Sequence, residues 1–205
     1  MTIQDFVSGF LGASSIEIIA SISGFICVFL IIKRNIWCWF FGFIQVTLFT
    51  HVFFESKLYS NAGLHVIYMF LQIYGWWNWR HHRDSEKDLI VEHSGAAFMS
   101  YVAASAVLST LLLGYIMQTY TNANMAFLDA FIACTSLIAQ VLLTRRYWFN
   151  WVLWICVNVV SIYVYFQQGL YPTVLLYSCF LIMCLFGVTE WLKKYRAQLS
   201  LVSSA

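Results

Sequence analysis

The chain has 205 residues, of which 61% are hydrophobic, 19% aromatic and only 10% charged. Soluble domains average about 25% charged residues, so a water-facing exterior cannot be built from this composition. A net charge of +2, a single proline and 10 glycines exclude a nucleic-acid footprint and a linker-rich chain, and leave an integral membrane protein.

In chain order, residues 1–16 carry Asp5 and no basic run, which argues against a signal peptide, while Phe6, Phe10 and Leu11 predict a short interfacial segment. Ser14-Ser15-Ile16-Glu17 reads as a capping box that opens the first span. Continuous apolar runs then predict seven transmembrane helices near 17–32, 37–54, 62–79, 96–117, 126–143, 148–166 and 173–191. About 20 apolar residues cross a bilayer, and barrel strands would alternate instead. The fold class expected is all-α integral membrane. Lys33 and Arg34 follow span 1, Arg80, Arg83 and Lys87 span 3, Arg145 and Arg146 span 5, and Lys193, Lys194 and Arg196 span 7. Only Lys57 falls on the other side, so the positive-inside rule predicts N-out, C-in. The six cysteines lie inside apolar runs without C-x-x-C spacing, as small core or lipid-facing residues rather than a disulfide framework.

Offsetting the sequence by 112 positions aligns 17–83 with 129–195 without a gap, with 11 identities among 67 pairs. Arg34 falls on Arg146, Trp39 on Trp151, Leu58-Tyr59 on Leu170-Tyr171, Gly75 on Gly187 and Trp79 on Trp191, with Glu17 on Asp129. These matches sit at corresponding ends and turns, which predicts a 3+1+3 bundle of parallel triple-helix repeats. The boundaries expected within this single transmembrane domain are 17–83 for the first repeat, 84–125 for a loop and connecting span 4, 126–196 for the second repeat and 197–205 for a cytoplasmic tail.

Polar side chains at membrane depth are costly and draw attention first. Spacings of three, four and seven put Trp151, Trp154 and Asn158 on one face of span 6, with Asn158 near the midplane. Either an interhelical hydrogen bond or a substrate contact accounts for Asn158. Gln72, one turn after Tyr68 in span 3, is a second midplane amide; Gln45 in span 2 is a third, as readily structural as functional. Gln140 and Thr144 read as interface polarity, and Glu190 as a partner of Lys193 or Lys194. Asp129 lies about one turn inside span 5 with no Ser or Thr three residues before it, facing a vestibule or a helix partner. No intramembrane Lys, strong zinc spacing, nucleophile elbow or P-loop occurs, so no cofactor, metal or enzymatic apparatus is expected. Tryptophan, tyrosine and amides without a midplane cation suit an unphosphorylated nucleoside.

Ser15-Ile16-Glu17, Trp39-Phe40-Phe41-Gly42 with Val46-Thr47-Leu48-Phe49, Leu58-Tyr59, Ile73-Tyr74-Gly75-Trp76 with Trp79, Leu143-Thr144-Arg145-Arg146-Tyr147, Asn150-Trp151-x-x-Trp154-x-x-x-Asn158-Val159 and Gln168-Gly169-Leu170-Tyr171 together resemble the bacterial PnuC-type vitamin transporters that take up nicotinamide riboside. The resemblance spans about residues 15–196. It implies a SWEET-like seven-helix fold, a homotrimer in the bacterial inner membrane, and facilitated diffusion drawn forward by a cytoplasmic riboside kinase. It further implies that Trp154 and Asn158 hold the nicotinamide ring and carboxamide, with Gln72 across the cavity; Trp151, Tyr68, Gln45, Asp129 and Trp39 complete the expected site. Gln45 stands where some members carry Asn. Two other readings remain: a related carrier of another vitamin such as thiamine, and a seven-helix receptor or scaffold that transports nothing.

Overall fold

The computed structural model describes residues 15–55, 59–82, 91–92, 95–121, 125–167, 169 and 171–203. The interfacial segment and Ser14, half of the expected capping box, lie outside them, as do Lys57, Leu58, Arg83, Lys87, Gln168 and Leu170. Seven helices follow in order: α1 (Ser15–Ile32), α2 (Cys38–Glu55), α3 (Tyr59–His81), α4 (Ala96–Tyr120), α5 (Ala126–Thr144), α6 (Asn150–Gln167) and α7 (Tyr171–Ser203). The fold is all-helical; the sole strand-like pairing among the described residues is an isolated bridge between Glu92 and Tyr147. Five helices (α1, α4, α5, α6 and α7) are long and apolar enough to cross a membrane. The apolar stretch of α2 is shorter, Cys38–Val52. α3 has the length, 23 residues, but His65, Gln72, Asn78 and Arg80 lower its hydropathy. α7 runs well past the apolar run that predicted it, because Lys193, Lys194, Arg196, Ala197, Gln198 and Leu199 are good helix formers that continue it beyond the lipid-like segment.

The chain divides into two compact units, Met1–Ile90 and Val91–Ala205. In the first, α2 packs on both α1 and α3. In the second, α4 packs on α5, α5 on α6, and α6 on α7. α4 shows how such helices meet lipid: Tyr101, Leu108, Leu112 and Tyr115 are exposed, and only Val102, Ala106 and Gly114 are buried. Several of its hydroxyls turn back on their own helix, Ser109 Oγ donating to the Ser105 carbonyl at 2.7 Å and Thr119 Oγ1 to the Tyr115 carbonyl at 2.8 Å. In a hydrocarbon solvent every donor must find its acceptor within the protein.

The α1–α2 and α5–α6 turns have the same hydrogen bonds. Arg34 N–H donates to the Ile31 carbonyl at 2.9 Å and Asn35 N–H to the Leu30 carbonyl at 2.8 Å; Arg146 N–H donates to Leu143 and Tyr147 N–H to Leu142, both at 3.0 Å. This is the Schellman pattern, in which the residue after the cap adopts the left-handed conformation. That residue is usually glycine, yet here it is Arg34 (φ 54°) and Arg146 (φ 67°), the two positive-φ non-glycine residues described. Each forfeits about 1 kcal/mol of backbone energy relative to glycine.

The second turn is also strapped. Glu92 N–H donates to the Arg146 carbonyl at 2.9 Å, and the Glu92 carboxylate meets the Arg146 guanidinium at 2.8 Å. Val91, buried at 4% exposure, donates its N–H to Gln198 Oε1 on the α7 extension at 3.2 Å.

Candidate functional site

In the first unit, large side chains cross helix interfaces where glycines leave room. Trp39 of α2 is 2% exposed, rests on α3 at Gly75, and meets Trp79 edge to face with centroids 5.2 Å apart. A Cβ on Gly75 would clash with the six-membered ring of Trp39. Gln72 of α3, also buried, lies over Gly42 of α2, where a Cβ would approach its Nε2 to 2.6 Å. Gln45 of α2 lies in turn over Gly24 of α1, at 2.7 Å on the same measure. Small residues at such contacts let helices pack closely, so each glutamine occupies the space a glycine of the neighbouring helix leaves. Tyr68 is half-buried with its ring edge-on to His65, 5.7 Å between centroids. Trp39 and Gln72 also line an open groove between α2 and α3 of about 430 Å³.

In the second unit, Trp151 of α6 is 2% exposed, rests on α7 at Gly187, and meets Trp191 edge to face at 5.8 Å. Asn158, 4% exposed, donates from Nδ2 to the Trp154 carbonyl at 2.7 Å and to Cys184 Sγ of α7 at 3.5 Å. Trp151 and Asn158 thus both meet α7. Trp154, one turn before Asn158, is half-buried and packs against the cluster of Val102, Ala139, Leu142 and Leu153 contributed by α4, α5 and α6. Asp129 is half-buried in the first turn of α5, where a carboxylate favours the positive end of the helix dipole.

Residues not singled out from the sequence are Thr135 and Ser136 of α5, both buried. Their only signal was adjacency, two small hydroxyls one turn before Gln140 in an otherwise apolar helix. Thr135 Oγ1, Ser161 Oγ, Asn150 Oδ1 and Trp151 Nε1 are buried with no hydrogen-bond partner among the described residues. Leaving such an atom unpaired costs about 1–3 kcal/mol, so these are places where a water or a ligand is gained. Among the described residues Arg146 pairs with Glu92 at the α5–α6 turn, one turn before Asn150, and Lys193 pairs with Glu190 at 3.2 Å on the α7 extension. No group of three or more His, Cys, Asp or Glu able to hold a metal ion occurs among the described residues. The interior of α5 and α6 therefore offers neutral donors and acceptors, able to exchange hydrogen bonds with a polar solute.

The family described as nicotinamide mononucleotide transporter matches residues 14–193. The chain is 29% identical over 209 residues to the nicotinamide riboside transporter PnuC of Escherichia coli K12, covering 89% of this chain and 87% of that one. It is 29% identical over 204 residues to PnuC of Neisseria mucosa, covering 93% and 77%. The riboflavin/roseoflavin transporter RibM of Streptomyces davaonensis is 22% identical over 178 residues, covering 85% and 83%. Among solved structures, the crystal structure of the vitamin B3 transporter PnuC matches with a TM-score of 0.77 at 26% identity, over 95% of this chain and 88% of that one. These bacterial relatives and the apolar helices place the chain in the bacterial inner membrane as a multi-pass protein.

Proposed function

The chain belongs to the nicotinamide mononucleotide transporter family, and from that membership we propose that it carries nicotinamide riboside across the inner membrane by facilitated diffusion. It is a transporter, not an enzyme. The names of the 29%-identical relatives support the substrate. The observation that carries the mechanism is the neutral polar interior of the second unit, where buried Asn158 and Ser161 share one helix face and Ser161 Oγ is unpartnered. Ion-coupled carriers use an acid, a histidine or a cation pair at depth; neutral amides and hydroxyls suit an uncoupled path.

In this reading seven helices span the membrane, N-out and C-in, as parallel triple-helix repeats 17–83 and 126–196 joined by 84–125, in a SWEET-like arrangement. The matching turns and the matching Trp-on-Gly contacts support that repeat. Trp154 and Asn158 hold the nicotinamide group, Gln72 contributes a second amide, and Trp151, Tyr68, Gln45, Asp129 and Trp39 frame the passage. The working unit is a homotrimer, and a cytoplasmic kinase traps the riboside as its phosphate. A related vitamin is the second reading, favoured by the riboflavin/roseoflavin carrier among the relatives.

The test is flux of labelled nicotinamide riboside into liposomes with the membrane potential clamped near zero. Label equilibrates without exceeding the outside concentration, and riboside kinase with ATP inside makes it accumulate. Accumulation driven by a proton or Na⁺ gradient without the kinase overturns the uniport mechanism. Preferential flux of thiamine or riboflavin overturns the substrate.

A further inference from the structure

The groove on the first unit lies between two helices and has a directional lining. Its α3 wall is Gln72, Ile73, Trp76, Trp77 and Arg80, a single helix face extending over about 12 Å of rise. Its α2 wall is Trp39, Phe40 and Phe43. Trp39 and Gln72 are buried in the floor, whereas Phe40, Phe43, Ile73 and Trp77 are exposed, Ile73 and Trp77 by more than half. Arg80 occupies one end and is itself exposed. Around that end, Trp37 meets Trp76 edge-on at 5.7 Å and Trp77 lies 4.8 Å from the His81 ring. Tryptophans gathered at one end of membrane helices mark the headgroup level, so Arg80 stands at the depth of lipid phosphates and the aromatic wall at the depth of acyl chains.

The equivalent surface of α6 and α7 lacks this character. Offset by 112 positions, Phe40 becomes Val152, Phe43 becomes Ile155, Trp76 becomes Val188, Trp77 becomes Thr189 and Arg80 becomes Leu192. The buried frame, Trp39 on Gly75 and Trp151 on Gly187, is kept in both. Interfacial tryptophans are common on lipid-facing helices, but Phe40, Phe43, Trp76 and Trp77 here line a groove that ends at Arg80, which the equivalent positions of α6 and α7 do not reproduce. Only the first set pairs an aromatic wall with a cation at these positions.

We propose that this groove seats one anionic phospholipid, an acyl chain lying along Phe40, Phe43 and Ile73 and the phosphate paired with Arg80. A guanidinium binds phosphate oxygens in a planar fork, and basic pockets between membrane helices recognise anionic headgroups. A soluble phosphate ester satisfies Arg80 but leaves the aromatic wall uncovered. A second copy packed head-to-tail on this face, as a three-fold ring requires, would have to bury the exposed Arg80 against a different surface of its neighbour, a case the oligomer readout separates. Charge and shape together select the lipid.

The full-length protein, stripped of lipid in mild detergent, is titrated with dioleoyl phosphatidylglycerol or dioleoyl phosphatidylcholine and followed by native mass spectrometry. One phosphatidylglycerol per chain is retained, about fivefold more tightly than phosphatidylcholine, the preference one basic residue provides at a membrane surface. Arg80→Gln abolishes the preference, Arg80→Lys keeps part of it, and Arg196→Gln on α7 leaves it intact. Ile73→Trp, which fills the groove, releases both lipids with the melting temperature unchanged. Equal retention of the two lipids by the unmodified protein overturns the proposal, as does an undiminished preference in Arg80→Gln. Displacement of the lipid by glycerol phosphate or nicotinamide mononucleotide identifies a soluble anion site instead. Loss of oligomers in Arg80→Gln or Ile73→Trp identifies a contact between copies. Either result also overturns it.

Discussion

In α1–α3, Trp39 rests on Gly75 and meets Trp79; 112 positions later, Trp151 rests on Gly187 and meets Trp191. The turns before Trp39 and Trp151 share their hydrogen bonds and a left-handed arginine. Between these fixed points the two sets part. Gln72 lies over Gly42 in the first, but the equivalent positions in the second are Cys184 and Trp154, so the bulk has moved from the third helix to the second. Val46 of the first corresponds to Asn158 of the second, whose amide bonds Cys184. A rigid ring pressed on a backbone needs glycine beneath it, whereas a flexible side chain over glycine, such as Gln72 over Gly42, can give its volume to a larger residue opposite. Two side chains facing each other can trade volume while the packing stays full. The tryptophan-on-glycine contacts therefore keep the two sets alike, and the exchangeable contacts let each place its polar group differently.

The largest expected effect tests those divergent groups. Asn158→Leu and Gln72→Leu each reduce riboside flux in liposomes by about 5- to 150-fold, the equivalent of one good hydrogen bond. Full flux in both variants makes both amides packing groups and the difference between the sets one of volume alone.

The shared frame is tested next. Gly75→Ala and Gly187→Ala each force a tryptophan off its seat and cost about 1–3 kcal/mol in thermal or denaturant unfolding of the detergent-solubilised protein. If one of them is silent, the frame supports only the other set.

Glu92→Gln removes an ionic contact that is present at the second turn. Arg146 is almost fully buried but Glu92 is 41% exposed, so the loss is about 1–2 kcal/mol after allowance for solvent screening. Amide hydrogen exchange should rise at residues 145–147 and stay constant at 33–35. A rise at both turns would make Glu92 a support of the whole molecule rather than of one set.

The smallest effect has the opposite sign. A Cβ added to Gly63 of α3 meets nothing within 4 Å, so Gly63→Ala stabilises the helix by about 0.5–1 kcal/mol. A destabilisation there would reveal a close approach that the α3 surface does not display.

Continuous apolar runs made the helices legible, since a bilayer demands length and hydropathy from each segment separately. The arginine, tryptophan and glycine matches at a fixed offset pointed to the like turns before Trp39 and Trp151 and to the like Trp-on-Gly contacts. The end of α7 was less legible: loss of hydropathy marks where lipid-like character stops, while helix propensity carried the helix on to Ser203. Facing directions were hardest. Spacing put Trp151, Trp154 and Asn158 on one face, but a helix between two neighbours has more than one buried side, and spacing did not say that Trp154 would pack on the α4–α5–α6 cluster while Trp151 and Asn158 meet α7.

Local properties of the chain, its apolar segments, their charged ends and the recurrence of its bulkiest residues, were therefore set by sequence alone. Each depends on residues near one another along the chain or on the chain compared with itself. Tertiary structure decided which glycines receive Gln45 and Gln72, where Arg34 and Arg146 adopt a conformation usually left to glycine, which carboxylate neutralises Arg146, and that an aromatic wall and Arg80 bound one groove. These are distances between residues far apart in the chain. Packing settles them because a side chain's energy depends on what occupies the space opposite, and no helical period specifies that neighbour.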